Sequence, residues 1–237
     1  MLDQNIKDFV FESIGKTPIE TDPFPHLYVN NVFPADFYAT LIEMMPSDEE
    51  YHESSSVRTN NAYSLKSRKR ISLSKCEHES LGTEKRVFWD DLKEFLTSNE
   101  FTLLFVEKFK DQLLKRYTQL NTTTRLELLK DSTGYRISPH TDAMHKIFTI
   151  LFYLPSSYTM RHLGTSIYTP KEKGFVNEEG IQLNFEEFDT YRKVDYLPNS
   201  IFCFMKTDNS FHGREPIVDQ DVRRDLLNCS IQHAVQQ

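Results

Sequence analysis

Residues 134–155 read GYRISPHTDAMHKIFTILFYLP, and the rest of the chain is read outward from this stretch. His140 and Asp142 stand two apart, a spacing that in an extended strand turns both side chains to one face. One imidazole and one carboxylate aimed at a common point supply two ligands for a divalent metal. The run behind them, Lys146 to Leu154, is apolar with β-branched and aromatic members, and predicts a buried strand that holds the pair against a core. A metal site needs that rigidity, because its ligands must keep their geometry.

Beyond Thr122 the chain keeps a strand-like pattern. Arg125, Leu126, Glu127 and Leu128 alternate, and short runs recur at 135–140, 146–154, 164–168, 192–197, 200–205, 211–217 and 224–231. Many short strands of this kind predict a sandwich or jelly roll. Upstream the period is helical. Pro34 suits a first turn, Phe37, Leu41, Met44 and Met45 form a stripe, and Pro46 stops it. Phe88, Leu92, Phe95 and Leu96 predict an amphipathic helix over 84–98, and Phe101, Leu104, Phe105, Phe109 and Leu113 another over 99–117. The first thirty residues, with Pro18, Pro23 and Pro25, predict an extended lead-in and a short strand. Residues 47–70 predict a long polar loop, and 171–190 an acidic insertion with the character of a lid. The expected class is α+β, as one domain over 1–237: a mainly helical part with its loop over 1–121, buttressing a jelly-roll core over 122–237.

Composition narrows the partners. A chain of 237 residues with 38% hydrophobic and 13% aromatic content buries a full core. A net charge of -7 argues against the broad basic surface that nucleic acid requires. The basic run Lys66 to Arg70 reads as solvated surface. Cys76, Cys203 and Cys229 show no CxxC spacing and are expected as reduced, packed thiols. The N-terminal residues lack a secretory pattern, and no run approaches the roughly 18 apolar residues that span a bilayer, so no membrane partner and a cytoplasmic location are expected.

The pair at 140 and 142 needs a third ligand. His212 in the run NSFHG (209–213) is the best candidate, 72 residues after His140 at the start of a predicted strand. Two histidines and one carboxylate on one face of a metal leave three positions open, the arrangement of non-haem Fe(II) oxygen chemistry. Those positions admit a bidentate 2-oxo acid and then O2. A dicarboxylate co-substrate also needs a cation for its far end, and Arg223 and Arg224 follow His212 by 11 and 12 residues. Alternation from Arg224 gives Leu226, Asn228 and Ser230, whose polar members suit a wet cavity; alternation from Arg223 gives Asp225, Leu227, Cys229 and Ile231. Arg224 is therefore preferred, with Asn228 and Ser230 beside it and the Tyr153 hydroxyl as a further donor.

Taken together, His140-Thr141-Asp142, Thr149 to Leu154, Leu163-Gly164-Thr165-Ser166, Ser210-Phe211-His212-Gly213 and Arg223-Arg224 resemble the Fe(II)/2-oxoglutarate-dependent oxygenases, in their prolyl-hydroxylase-like branch. The resemblance spans about residues 122–233, with support from Pro23 to Pro46. It implies a double-stranded β-helix (cupin-like) core, Fe(II), 2-oxoglutarate and O2, and hydroxylation of an unactivated carbon with release of succinate and CO2. It also places Tyr153 where prolyl hydroxylases set a tyrosine on the 2-oxoglutarate carboxylate. Lys130, ten residues before His140, stands where some relatives have a tyrosine. Asp142 occupies the position that related halogenases give to a small residue, which favours hydroxylation over halogenation. The shared core does not specify the substrate, so a small molecule, a carrier-bound intermediate and a peptidyl side chain are all open.

Two other readings use the same residues: a jelly-roll binding module without chemistry, and a zinc hydrolase. The second lacks a general base nearby in sequence and leaves the trailing arginine unexplained. His145 is expected in a turn facing solvent or substrate, and His26, His52, His78, His162 and His233 as structural or exposed. Arg58, Arg136 and Lys146 read as ordinary surface charges.

Overall fold

The computed structural model describes residues 2–53 and 67–234. The chain begins with a helix, α1 (Gln4–Lys16), where an extended lead-in was expected. Its cap is Asp3, whose carboxylate accepts the Ile6 N–H at 3.0 Å, and it buries Val10 and Ile14, one turn apart. The prolines act only after Thr17, leading into β1 (His26–Asn30) and then α2 (Ala35–Glu43). Two further helices follow, α3 (Thr83–Leu96) and α4 (Asn99–Lys108), the latter capped by Ser98. The single helix expected over 99–117 breaks at Phe109, past which only one turn, α5 (Lys110–Leu113), continues.

The stretch expected as a loop over 47–70 is bounded by paired strands, β2 (His52–Glu53) and β3 (Arg68–Ser72). The basic run read as solvated surface is thus partly strand, since β3 pairs along β4 (Thr122–Asp131). Arg58 lies outside the described residues. Seven more strands follow: β5 (Ile137–His140), β6 (Lys146–Tyr153), β7 (Ser166–Pro170), β8 (Phe188–Lys193), β9 (Ser200–Met205), β10 (His212–Arg214) and β11 (Arg224–His233). β8 begins within the expected acidic insertion and ends early in the run expected at 192–197.

The strands form two antiparallel sheets, ordered β1-β9-β6-β11-β4-β3-β2 and β5-β10-β7-β8. From β4 to β11 the chain crosses repeatedly from one sheet to the other, which is the double-stranded β-helix. Helices cover the outer face of the larger sheet. Phe105 and Phe109 pack on Phe148 with ring centres 6.1 and 5.0 Å apart, and Leu227, Cys229 and Ile231 join this core. That same cluster contains Val10 of α1 and Trp89 of α3, so the helical part and the sheet share one core. Between the sheets lie Leu129, Tyr153, Phe202, Phe204 and Leu226. The alternation of β11 therefore holds: Leu226 turns inward and Leu227, Cys229 and Ile231 turn to the helices. Among the described residues, no helix is long and apolar enough to cross a membrane.

Candidate metal centre and its cavity

β10 pairs with β5 so that His212 stands directly opposite His140, and the two ring centres are 4.4 Å apart. Each imidazole Nδ1 lies against the backbone carbonyl two residues back, that of Ser138 at 2.8 Å and that of Ser210 at 2.9 Å. A carbonyl only accepts, so the proton is on Nδ1 and the Nε2 lone pair is left for a ligand. Gly213 makes this closeness possible. A Cβ there would lie 2.6 Å from the Ile137 carbonyl oxygen, which would force β10 away from β5 beside the ligand.

Asp142 arrives differently from the expectation of a shared strand face. β5 ends at His140, so alternation does not aim the carboxylate. Two side chains from the next strand do so: Thr149 Oγ1 donates to Oδ2 at 2.6 Å, and Lys146 Nζ to Oδ1 at 2.7 Å. Lys146, read from sequence as a surface charge, is a direct partner of the site. Ligand atoms of His140, Asp142 and His212 all lie within 4.8 Å of one another, and all three residues are buried.

The protonation states suit ligation. Burial, assisted by the neighbouring His212, lowers His140 to about 3, and burial lowers His212 as well. Burial opposes ionisation of Asp142, but the Lys146 ammonium, 2.7 Å from Oδ1, outweighs it and holds the carboxyl well below the usual range. Two neutral imidazoles and one carboxylate face one point.

The insertion expected as a lid is tied to the segment that carries these ligands. Leu183 N–H donates to the Pro139 carbonyl at 2.9 Å, and Thr141 Oγ1 to the Asn177 carbonyl at 2.5 Å. Gly180, with φ +70°, packs so closely that a Cβ would meet the Asp142 carbonyl oxygen at 2.7 Å.

The ligands open into a cavity of about 110 Å³ between the sheets. Arg224 lines it with its side chain 3% exposed, donating from Nε to the Leu163 carbonyl at 2.6 Å, from Nη1 to Asp131 at 2.7 Å and from Nη2 to Thr165 Oγ1 at 3.5 Å. Arg223 lies on the opposite face, 40% exposed and paired with Asp225 and Asp48. Asn228 lines the cavity, and its Oδ1 is buried with no partner among the described residues.

Two expected contributors are displaced. Ser230 is buried beyond the lining. Tyr153 is wholly buried and also behind it, where its hydroxyl donates to Thr165 Oγ1 at 2.8 Å and accepts the Thr165 N–H at 3.2 Å. Thr165 lines the cavity in front of the tyrosine.

Sequence reasoning missed Arg68, Tyr135, Thr165 and Arg214, all of which line the cavity. Arg68 grips Asp131 with Nε at 2.6 Å and Nη2 at 2.9 Å, and its guanidinium lies 4.1 Å over the Tyr135 ring. Arg214 is two residues past His212, a spacing that alternation could have flagged. Lys130 faces elsewhere, buried over Tyr51 and paired with Asp48. His145 is exposed, and His78 is a buried structural residue bonded to Asp90 at 2.8 Å.

These features define a double-stranded β-helix with a candidate mononuclear metal centre between its sheets. No protein-family model matches the chain, and no curated protein matches its sequence. Solved structures do. A prolyl hydroxylase from Trichoplax adhaerens, in complex with a hypoxia inducible factor oxygen degradation domain peptide fragment, superimposes with a TM-score of 0.54 at 10% identity over 95% of this chain and 88% of that one. A prolyl-4-hydroxylase from Pseudomonas putida gives 0.54 at 9% identity over 95% and 100%. The non-heme α-ketoglutarate-dependent epimerase SnoN from nogalamycin biosynthesis gives 0.54 at 11% identity over 96% and 83%. Identities this low establish the likeness of fold.

Proposed function

We propose that the protein is an Fe(II)- and 2-oxoglutarate-dependent dioxygenase that hydroxylates an unactivated carbon of a small-molecule, carrier-bound or peptidyl substrate. One observation carries this reading: His140, Asp142 and His212 converge within 4.8 Å in a cavity that also holds a buried arginine, Arg224. The residues fit the metal on their own chemistry. Both Nε2 lone pairs are left for an ion by the Nδ1 bonds, and the ligand set of two imidazoles and a carboxylate suits Fe(II). The likeness to prolyl hydroxylases and to an α-ketoglutarate-dependent epimerase supports the same reading.

His140, Asp142 and His212 would hold the iron. Lys146 and Thr149 fix the direction of the Asp142 carboxylate from behind. Arg224 takes the distal carboxylate of the co-substrate. A guanidinium has five N–H groups, and three acceptors in the chain leave others for a ligand. Thr165 Oγ1 already accepts from Tyr153, so its own hydrogen is available to the same carboxylate. Tyr153 thus acts as a positioning residue for Thr165. Asn228 lines the chamber with an amide that can meet a bound polar group. When bound, iron with 2-oxoglutarate and O2 supplies oxidation at carbon: one oxygen atom enters succinate, the other becomes the product hydroxyl, and CO2 leaves. Asp142 fills the position a halide would need, so the product gains oxygen and not chlorine. The core shared by helices and sheets supports reading the chain as one catalytic unit.

The test is His212→Ala. Anaerobic Fe(II) and 2-oxoglutarate should give a weak visible charge-transfer band with the unaltered protein, a band that zinc cannot give, and succinate should form once O2 is admitted, which a binding module without chemistry would not do. The variant should lose that band and succinate formation together. Full turnover by the variant would overturn the ligand assignment.

A further inference from the structure

The cavity carries more positive charge than a metal and its co-substrate use. Arg68, Lys146, Arg214 and Arg224 line it, and among the described lining residues Asp142 is the one carboxylate. Behind the lining, Asp131 answers Arg68 and Arg224, and Glu215 answers Arg214. Four cations against three carboxylates leave one positive charge. A divalent ion and a dicarboxylate cancel each other, so that charge persists in the loaded site. Glu215 is moreover shared, since it also takes Lys193 at 2.9 Å and hydroxyl bonds from Ser166 and Tyr168.

The excess is centred on Arg214. Its side chain is 5% exposed, Nη1 donates to Glu215 at 3.0 Å, and Nε is buried with no acceptor among the described residues. A buried guanidinium N–H without an acceptor is costly, and one that lines a cavity is satisfied by whatever fills it. Tyr135 and Arg68 line the same cavity, with the Arg68 guanidinium over the phenol ring and Arg68 itself on β3 of the larger sheet. Arg214 follows the metal ligand His212 on β10 of the smaller sheet, whereas Arg224 belongs to β11 of the larger one, so the two arginines approach the cavity from opposite sides. One can hold the co-substrate while the other holds a second anion.

We propose that Arg214, in the cavity that Arg68 and Tyr135 also line, receives a carboxylate of the primary substrate, so that the carbon oxidised belongs to an acid. This rests on the oxygenase reading and adds the substrate class to it. A planar guanidinium with an unused Nε edge matches a carboxylate through paired hydrogen bonds, and an amide of the same shape lacks both the charge and the second acceptor.

The experiment is calorimetric titration of the Mn(II)-loaded full chain, saturated with 2-oxoglutarate, with acetate, propionate and L-alanine, each against its amide. At least one acid should bind with a dissociation constant tenfold or more below that of its amide. Arg214→Met should raise that constant at least tenfold and change the 2-oxoglutarate constant less than threefold, and Arg214→Lys, which keeps the charge but not the fork, should fall between. Equal binding of acids and amides, or no binding of any acid, would overturn the proposal without recourse to a variant. A loss of 2-oxoglutarate affinity in Arg214→Met as large as that in Arg224→Gln would also overturn it, by making Arg214 a co-substrate residue. Failure of 2-oxoglutarate itself to bind would instead sink the oxygenase reading, and the acid titration of the Mn(II) protein would still decide the role of Arg214.

Discussion

Replacing Asp131 by Asn tests how the cavity's cations are held. Register places Asp131 at the end of β4, directly across from Arg68 on one side and Arg224 on the other. Its carboxylate is fully buried and accepts three charge-assisted hydrogen bonds, at 2.6 and 2.9 Å from Arg68 and at 2.7 Å from Arg224. Asparagine keeps the volume but brings N–H donors against guanidinium N–H donors and leaves two cations without their counter-ion. Removing one side of a buried pair costs about 3–5 kcal/mol. At about 2–4 °C per kcal/mol for a chain of roughly 150–250 residues, the melting temperature should fall by roughly 6–20 °C. The assay is thermal and urea unfolding of the metal-free protein, with Arg68→Met as the internal comparison. That variant should lose less, because Asp131 keeps Arg224 and Arg68 is itself 21% exposed. A loss below about 1 kcal/mol in Asp131→Asn, or a larger one in Arg68→Met, would refute the view of Asp131 as the hub.

Two further outcomes follow from the site. Arg224→Gln should raise the 2-oxoglutarate dissociation constant roughly 30-fold or more, from about 2–5 kcal/mol at 1.4 kcal/mol per tenfold, while Arg223→Gln on the exposed face should change it less than about threefold; the reverse pattern in a calorimetric titration would mean that the strand faces are misassigned. Below about pH 6.5 the unfolded chain takes up protons at His140 and His212 that the folded chain refuses, with His140 held to about 3, so stability of the metal-free protein falls as pH drops from about 6.5 toward 3. The urea midpoint should be lower at pH 5 than at pH 7.5, and His140→Asn should lose less over that interval; a midpoint that rises on acidification contradicts the burial argument.

What was legible in the sequence was chemistry with few alternatives. An imidazole and a carboxylate two apart, a distant histidine and a trailing arginine stand out because each begins or ends a strand-like run. The inward face of β11 was also legible, because a period of two separates Arg224 and Asn228 from Leu227, Cys229 and Ile231 without further information. The errors fall where a role is set by contacts distant in sequence. Arg68 looked like one member of a basic surface run, and its place in the cavity depends on Asp131, 63 residues later. Tyr153 was read as a cavity donor, and its hydroxyl instead bonds the side chain and backbone of Thr165, which faces the cavity. In α1 the two buried positions and the Asp3 cap were present in the sequence, but the prolines beyond Thr17 dominated the reading of the whole first stretch.

The placement of Asp142 shows what the fold contributes beyond the strand pattern. Both histidines belong to the smaller sheet and are set by one cross-strand pair. Asp142 stands past the end of β5, and its carboxylate is aimed by Lys146 and Thr149 of β6, which belongs to the larger sheet. Its backbone is pressed from outside by Gly180 of the acidic insertion. The ligand set therefore answers to both sheets and to the insertion at once. Any shift of one sheet against the other changes the distance from the carboxylate to the imidazoles, and an ion held by all three resists that shift. Binding an ion in this position adds a link between the sheets that the unfolded chain lacks, so occupancy and stability rise together.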